Sequence, residues 1–205
     1  MPGWIGVAVA TIALYALFLA WYGGRGKALT RDETERFLAE LGARANDDAS
    51  RAALDAVRAL VERDDGREFV MQNLVRHRAK AAYPPGSGFG DDPREADRRY
   101  GRLILWPLLR NGSHPVFIAR RAGRFIEPDG CDDWHYVAMV RYRSRRDFLR
   151  FALAIERDDI VVHKWAAIEK THVFPVRPMA SLIVVRTGVA ALLALAGTAL
   201  ALALA

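Results

Sequence analysis

Two apolar runs, residues 4–22 and 187–205, bracket the chain, and neither contains a charged side chain. Each is 19 residues, which at ~1.5 Å per helical residue is roughly the thickness of a bilayer's hydrocarbon core. They predict two transmembrane helices, in segments 1–24 and 179–205. In the second run Ala190, Ala194, Gly197 and Ala201 recur at helical spacing, a small-residue face that permits close helix contact.

Between the runs the pattern first has the helical period. Thr30 with Glu33 reads as a capping box, and Phe37, Leu38 and Leu41 form one apolar stripe ending at Gly42. A second helix, 49–63, places Leu54, Val57, Leu60 and Val61 on one face. Together they predict a helical hairpin, segment 25–65, whose work is packing or spacing.

From Arg67 the period shortens. Residues 67–75 predict a strand, and the Gly- and Pro-rich stretch 83–90 a loop. A helix comes next over 93–110, closed by Asn111-Gly112 and kinked at Pro107. Strands are predicted at 115–121 and 134–143. Ser144, with Asp147 three residues on, then caps a helix with Phe148, Phe151, Ala152 and Ile155 on one face. A helical turn at 163–168 and a strand at 170–176 complete the order βαββαβ. The fold class is therefore α+β, a ferredoxin-like split unit over 66–178, with the hairpin before it and a transmembrane helix on either side.

Charge sets the orientation. Of the 30 Lys+Arg, 29 lie from Arg25 to Arg177, with all 24 Asp+Glu, so the middle carries +5. The first run lacks the basic start and small-x-small site of a cleaved signal. It ends in Trp21 and Tyr22 and is followed by Arg25, Lys27 and Arg31; Arg177 and Arg186 precede the second run. Aromatics at the interface followed by basic residues mark a cytoplasmic end. The expectation is a two-pass protein with both termini outside and the middle domain in the cytoplasm. Arg outnumbers Lys 26 to 4 with abundant Ala, as in GC-rich bacteria, so that membrane is read as the bacterial inner membrane. The modest positive charge suits anionic lipid headgroups. It lacks the clustered basic stripe with interleaved aromatics of a nucleic-acid binder.

Several stretches resemble the domain-of-unknown-function 1330 family of the dimeric α/β-barrel superfamily. They are 69–74 (Phe-Val-Met-Gln-Asn-Leu), Ala82-Tyr83-Pro84, Tyr100-Gly101, Trp134 before a Val-containing strand, and 142–149. The resemblance covers about 66–178 and implies a ferredoxin-like fold and a homodimer formed by sheets packing face to face. It implies no settled activity. Haem-degrading and monooxygenase members of the superfamily use polar and aromatic residues between sheet and helices, and Asn73, Trp134 and His163 are of suitable types, with Tyr100 a further ligand-binding candidate. The ordinary reading is that Asn73 satisfies backbone groups, Trp134 is core and His163 caps a helix.

The remaining chemistry is sparse. Five histidines show no metal-ligand spacing, and no cofactor is implied. Cys131, the single cysteine, lies in an acidic turn, a poor setting for a nucleophilic thiolate. Arg141, Arg143, Arg145 and Arg146 put four cations into six residues. Arg145 and Arg146 open a helix, where the dipole disfavours them, and Asp147 is the nearest compensating group. The cluster reads either as an anion or headgroup site, with Arg141 and Arg143 on one strand face, or as a salt-bridged edge. The function expected is a non-catalytic binding or interaction module at the membrane surface, with a small dimeric-barrel enzyme as the alternative.

Overall fold

The computed structural model describes residues 3–23, 26–45, 48–179 and 184–203. The chain divides into two compact units, Met1–Arg25 with Pro178–Ala205, and Gly26–Arg177.

The first unit consists of α1 (Gly3–Gly23) and α7 (Val185–Ala203), both long and apolar enough to cross a membrane. They pack antiparallel: Tyr22 lies under the Arg186 guanidinium at 4.9 Å, and Gly197 lies against Thr11. A Cβ on Gly197 would sit 2.6 Å from Thr11 Oγ1, so the approach requires a residue without a side chain. Of the small-residue face, Ala190, Gly197 and Ala201 are sheltered, whereas Ala194 is exposed.

In the second unit, α2 (Arg31–Gly42) starts at the expected capping box. Thr30 Oγ1 accepts from Glu33 N, and Glu33 Oε2 accepts from Thr30 N at 3.0 Å. With α3 (Asp48–Val61) it forms the hairpin. The hairpin is part of the domain's core, not a separate spacer. Phe37 and Val61 pack on Leu149, which has no exposed surface. The turn after α3 is fastened as well, because the Asp64 carboxylate accepts from Leu29 N at 2.6 Å and Gly66 N at 3.0 Å. Gly66 has φ +71°, and a Cβ there would lie 2.5 Å from the Lys27 carbonyl carbon, so glycine is required on two counts.

The sheet has four strands: β1 (Phe69–His77), β2 (His114–Arg120), β3 (Tyr136–Tyr142) and β4 (Ile168–Val176). All neighbouring pairs are antiparallel, in the order β2-β3-β1-β4, the ferredoxin-like arrangement. Pro115 is tolerated because β2 is an edge strand with an irregular register there. Helix α4 (Pro93–Arg110), capped by Asp92, runs through Pro107. Helix α5 (Arg145–Ile155) is capped by Ser144, whose Oγ accepts from Asp147 N at 3.1 Å, a bond of the kind that contributes about 1 kcal/mol. The predicted turn at 163–168 is instead a ten-residue helix, α6 (Asp158–Ala167), packed on α4.

The helices cover one sheet face. Phe69, Met71 and Tyr142 pack under Leu108 and Phe151, while Val75 packs against Ala96, Ala166 and Ala167. Strand alternation sends Leu74, Val137 and His172, and likewise Gln72, Met139, Phe117 and Phe174, to the other face. Among the described residues, none of these seven joins the helix-packed clusters.

Candidate functional site

The arginine run occupies the exit of β3 and the start of α5. Arg141 is buried on the bare-face side; its Nε donates to Glu68 Oε2 and its Nη1 to Gly112 O, each at 3.0 Å. Arg143 forks onto Asp147, Nε to Oδ2 at 2.7 Å and Nη2 to Oδ1 at 2.8 Å, and lies against Gly112. The Asn111-Gly112 turn thus brings Arg141 and Arg143 together. Arg145 meets Asp64 and Asp65, and Arg146 meets Glu33 and the carbonyls of Lys27 and Ala28. Compensation at the helix start therefore comes from the hairpin side of the domain. Asp147 is engaged by Arg143 and by the Ser144 hydroxyl. Held in a charge-assisted hydrogen bond to Arg146, the Glu33 carboxyl is pushed down to about 2.

On the helix side of the sheet lies a chain of polar groups. Asn73 is tied to the sheet itself, Nδ2 donating to Met71 O and Ala138 O at 3.1 Å. Farther along, the Asp97 carboxylate accepts from Tyr136 Oη at 3.3 Å and faces His77 Nε2 at 3.0 Å. His163 is buried, its Nδ1 at 2.7 Å from Tyr83 Oη and its ring edge-on to Phe89. Burial, together with the nearby Arg99 charge, lowers its pKa, which favours neutral imidazole. Burial also raises the Tyr83, Tyr100 and Tyr136 hydroxyls, the last two further because of Asp97.

Trp134 falls in the loop before β3, not at the head of the strand, and its ring neighbours His172 at 6.5 Å. His172 points to the bare face, away from Asn73, so Trp134 and Asn73 lie on opposite sides of the sheet. Cys131 is exposed in the same loop.

Among the described residues, two cavities bear on the candidate site. One, of about 590 Å³, lies between α3, α5 and the β1–β4 edge, and its walls include Leu60, Met71, Phe148 and Val173. The other, of about 540 Å³, lies between the hairpin and α4, α5 and α6, and is lined in part by Tyr100, Glu156 and Lys164. Of the six sequence candidates only Tyr100 lines either one. Motifs alone do not reveal Asp97 and Lys164. For Lys164 the signal is faint: a charged residue at a helix position whose neighbours one turn away, Ile160, Val161 and Ala167, are apolar.

No family model matches the chain, and no curated protein does so either. Among solved structures, it is similar to methylated RPA0582 protein, with 27% identity over 64% of this chain and 93% of that one, at a TM-score of 0.54. A second RPA0582 structure, described as a protein of unknown function from Rhodopseudomonas palustris, shows 26% identity over 63% and 94%, at 0.52. A dabb family protein with a ferredoxin-like fold from Mesorhizobium loti is only slightly similar, with 13% identity over 55% and 98% at a TM-score of 0.33. The likeness to RPA0582 is one of fold, and this chain's own fold is helices on a four-stranded antiparallel sheet.

Proposed function

We propose that this chain is a membrane-anchored binding module whose sheet docks on a second copy of itself. In this reading α1 and α7 cross the bacterial inner membrane, and the Gly26–Arg177 domain works on its cytoplasmic side, near anionic headgroups. The observation that carries the reading is the sheet face turned away from the helices, where half-buried Leu74, Val137, Met139 and Phe174 sit with exposed Phe117, beside Gln72 and His172. An apolar face of this kind marks an interaction surface, and face-to-face sheets bury such a face on both sides at about 10 Å separation.

Support for a module over a catalyst comes from the helix side. Phe69, Leu108, Tyr142, Phe148 and Phe151 fill much of the space between sheet and helices, and Asn73, Trp134 and His163 line neither cavity. The arginine cluster is matched by carboxylates and carbonyls, which favours the salt-bridged edge.

Co-expression of two differently tagged copies tests the pairing. The wild-type copies are expected to co-purify from detergent extracts, and Met139→Glu in both is expected to abolish this while the variant still melts cooperatively. Continued co-purification of the variant copies would contradict the reading.

A further inference from the structure

We infer that the cleft between the helical hairpin and α4, α5 and α6 binds a small apolar carboxylate, its head accepting hydrogen bonds from Tyr100 Oη and Lys164 Nζ. The cavity is about 540 Å³, within the range of ~300–1,000 Å³ that holds small organic ligands. Its walls are apolar: Leu54 and Val57 from the hairpin, Ala152 and Ile155 from α5, Val161 and Trp165 from α6. Four polar residues interrupt them, namely Arg44, Tyr100, Glu156 and Lys164.

Of these, Arg44 is already committed, its Nη1 donating to Leu153 O at 2.9 Å and Glu156 O at 3.2 Å. Tyr100 and Lys164 are not. Among the described residues neither the Tyr100 hydroxyl nor the Lys164 ammonium makes a protein hydrogen bond; Lys164 lies over the Trp165 ring at 4.6 Å and feels the Glu156 charge. Neither atom is fully sealed from solvent, so a bound acceptor there would take the place of water. Burial lowers the Lys164 pKa, and Glu156 opposes that shift. A bound anion would act in the same sense as Glu156 and hold the ammonium charged.

The charge count selects the ligand class. Arg44 and Lys164 against Glu156 leave one net positive charge at the cleft, suited to a monoanion and unsuited to a phosphate dianion. A carboxylate offers two acceptor oxygens to the two open donors, and an apolar body matches the walls. None of the cleft's lining residues belongs to the sheet, so the site is independent of the pairing face.

Calorimetric titration of the detergent-purified full chain with 2-naphthoate tests the inference, with 2-naphthamide as the uncharged comparison and detergent alone as the blank. Saturable binding of 2-naphthoate is expected. Lys164→Met should weaken it by about tenfold or more, and Tyr100→Phe by about threefold or more, as loss of a charge-assisted and a neutral hydrogen bond would. 2-Naphthamide should bind about tenfold more weakly. Thermal melting of each variant identifies any that fails to fold, in which case Tyr100→Phe, which keeps the ring, decides the matter. No saturable binding to the wild type, equal affinity for the amide, or unchanged affinity in a folded Lys164→Met or Tyr100→Phe would overturn the inference.

Discussion

Arg143 holds Asp147 in a fork of two hydrogen bonds, 2.7 and 2.8 Å, four residues apart across the β3–α5 junction. Asp147 also accepts from the Ser144 hydroxyl at 2.8 Å. The pair is largely shielded from water, the side chains being 18% and 6% exposed, so the hydrogen bonds retain most of their worth. It fixes the direction in which α5 leaves the sheet. It also uses up the acid nearest to Arg145 and Arg146, so their charges are met by Asp64, Asp65 and Glu33.

Replacing the fork by a point charge should therefore cost stability. Arg143→Lys is expected to lower domain stability by about 1.5–3 kcal/mol, because an ammonium cannot occupy both carboxylate oxygens in the same plane. Thermal denaturation in detergent reads this directly. An unchanged midpoint would show that the fork contributes nothing a single charge does not.

Acid should loosen the contact between α5 and the hairpin. The Glu33 carboxyl is pushed from 4.5 down to about 2 by Arg146, so folding favours its ionised form. The stabilisation is complete above pH ~4.5 and is lost as pH falls toward about 2. Glu33→Gln lacks this component, so the wild type's melting advantage over Glu33→Gln should shrink as pH falls from 7 to 3. An advantage that holds constant over that range would refute the assignment.

Leu149 joins the hairpin to the sheet domain, fully buried against Phe37 and Val61. Leu149→Ala should cost about 2–5 kcal/mol, as deletion of a core leucine usually does. If the hairpin were only a spacer, protease sensitivity would rise in residues 26–61 alone. The shared core predicts a single cooperative loss that includes the sheet.

How much of this is legible in the sequence depends on separation along the chain. The Thr30–Glu33 box, the Ser144 cap and the succession of strands are set by neighbours or by periodicity, and they read directly. The partners of Arg145 and Arg146 do not, since Asp64 and Glu33 lie 81 and 113 residues away and only the fold brings them in. Trp134 reads as part of a strand because an aromatic residue lies before Val, yet β3 begins at Tyr136. Helix α6 reads as a single turn because the polar residues Asp158 and Asp159 at its start resemble a loop. Its length is secured instead by burial of Ile160, His163, Ala166 and Ala167. The apolar residues one turn from Lys164 hint at its shelter, but not at a cleft.

The side of the membrane on which the domain works can be read from Cys131, the single cysteine, which is exposed. A membrane-impermeant maleimide should label it only after cells are permeabilised. Labelling of intact cells would place the domain outside and reverse the proposed orientation.

Native mass spectrometry of the detergent-extracted full chain reads out whether the sheet face turned from the helices pairs two copies. Pairing gives a dominant species of twice the 22.8 kDa chain mass, reduced to one copy by Met139→Glu. A wild type that flies as a single chain under conditions that preserve its fold would contradict it.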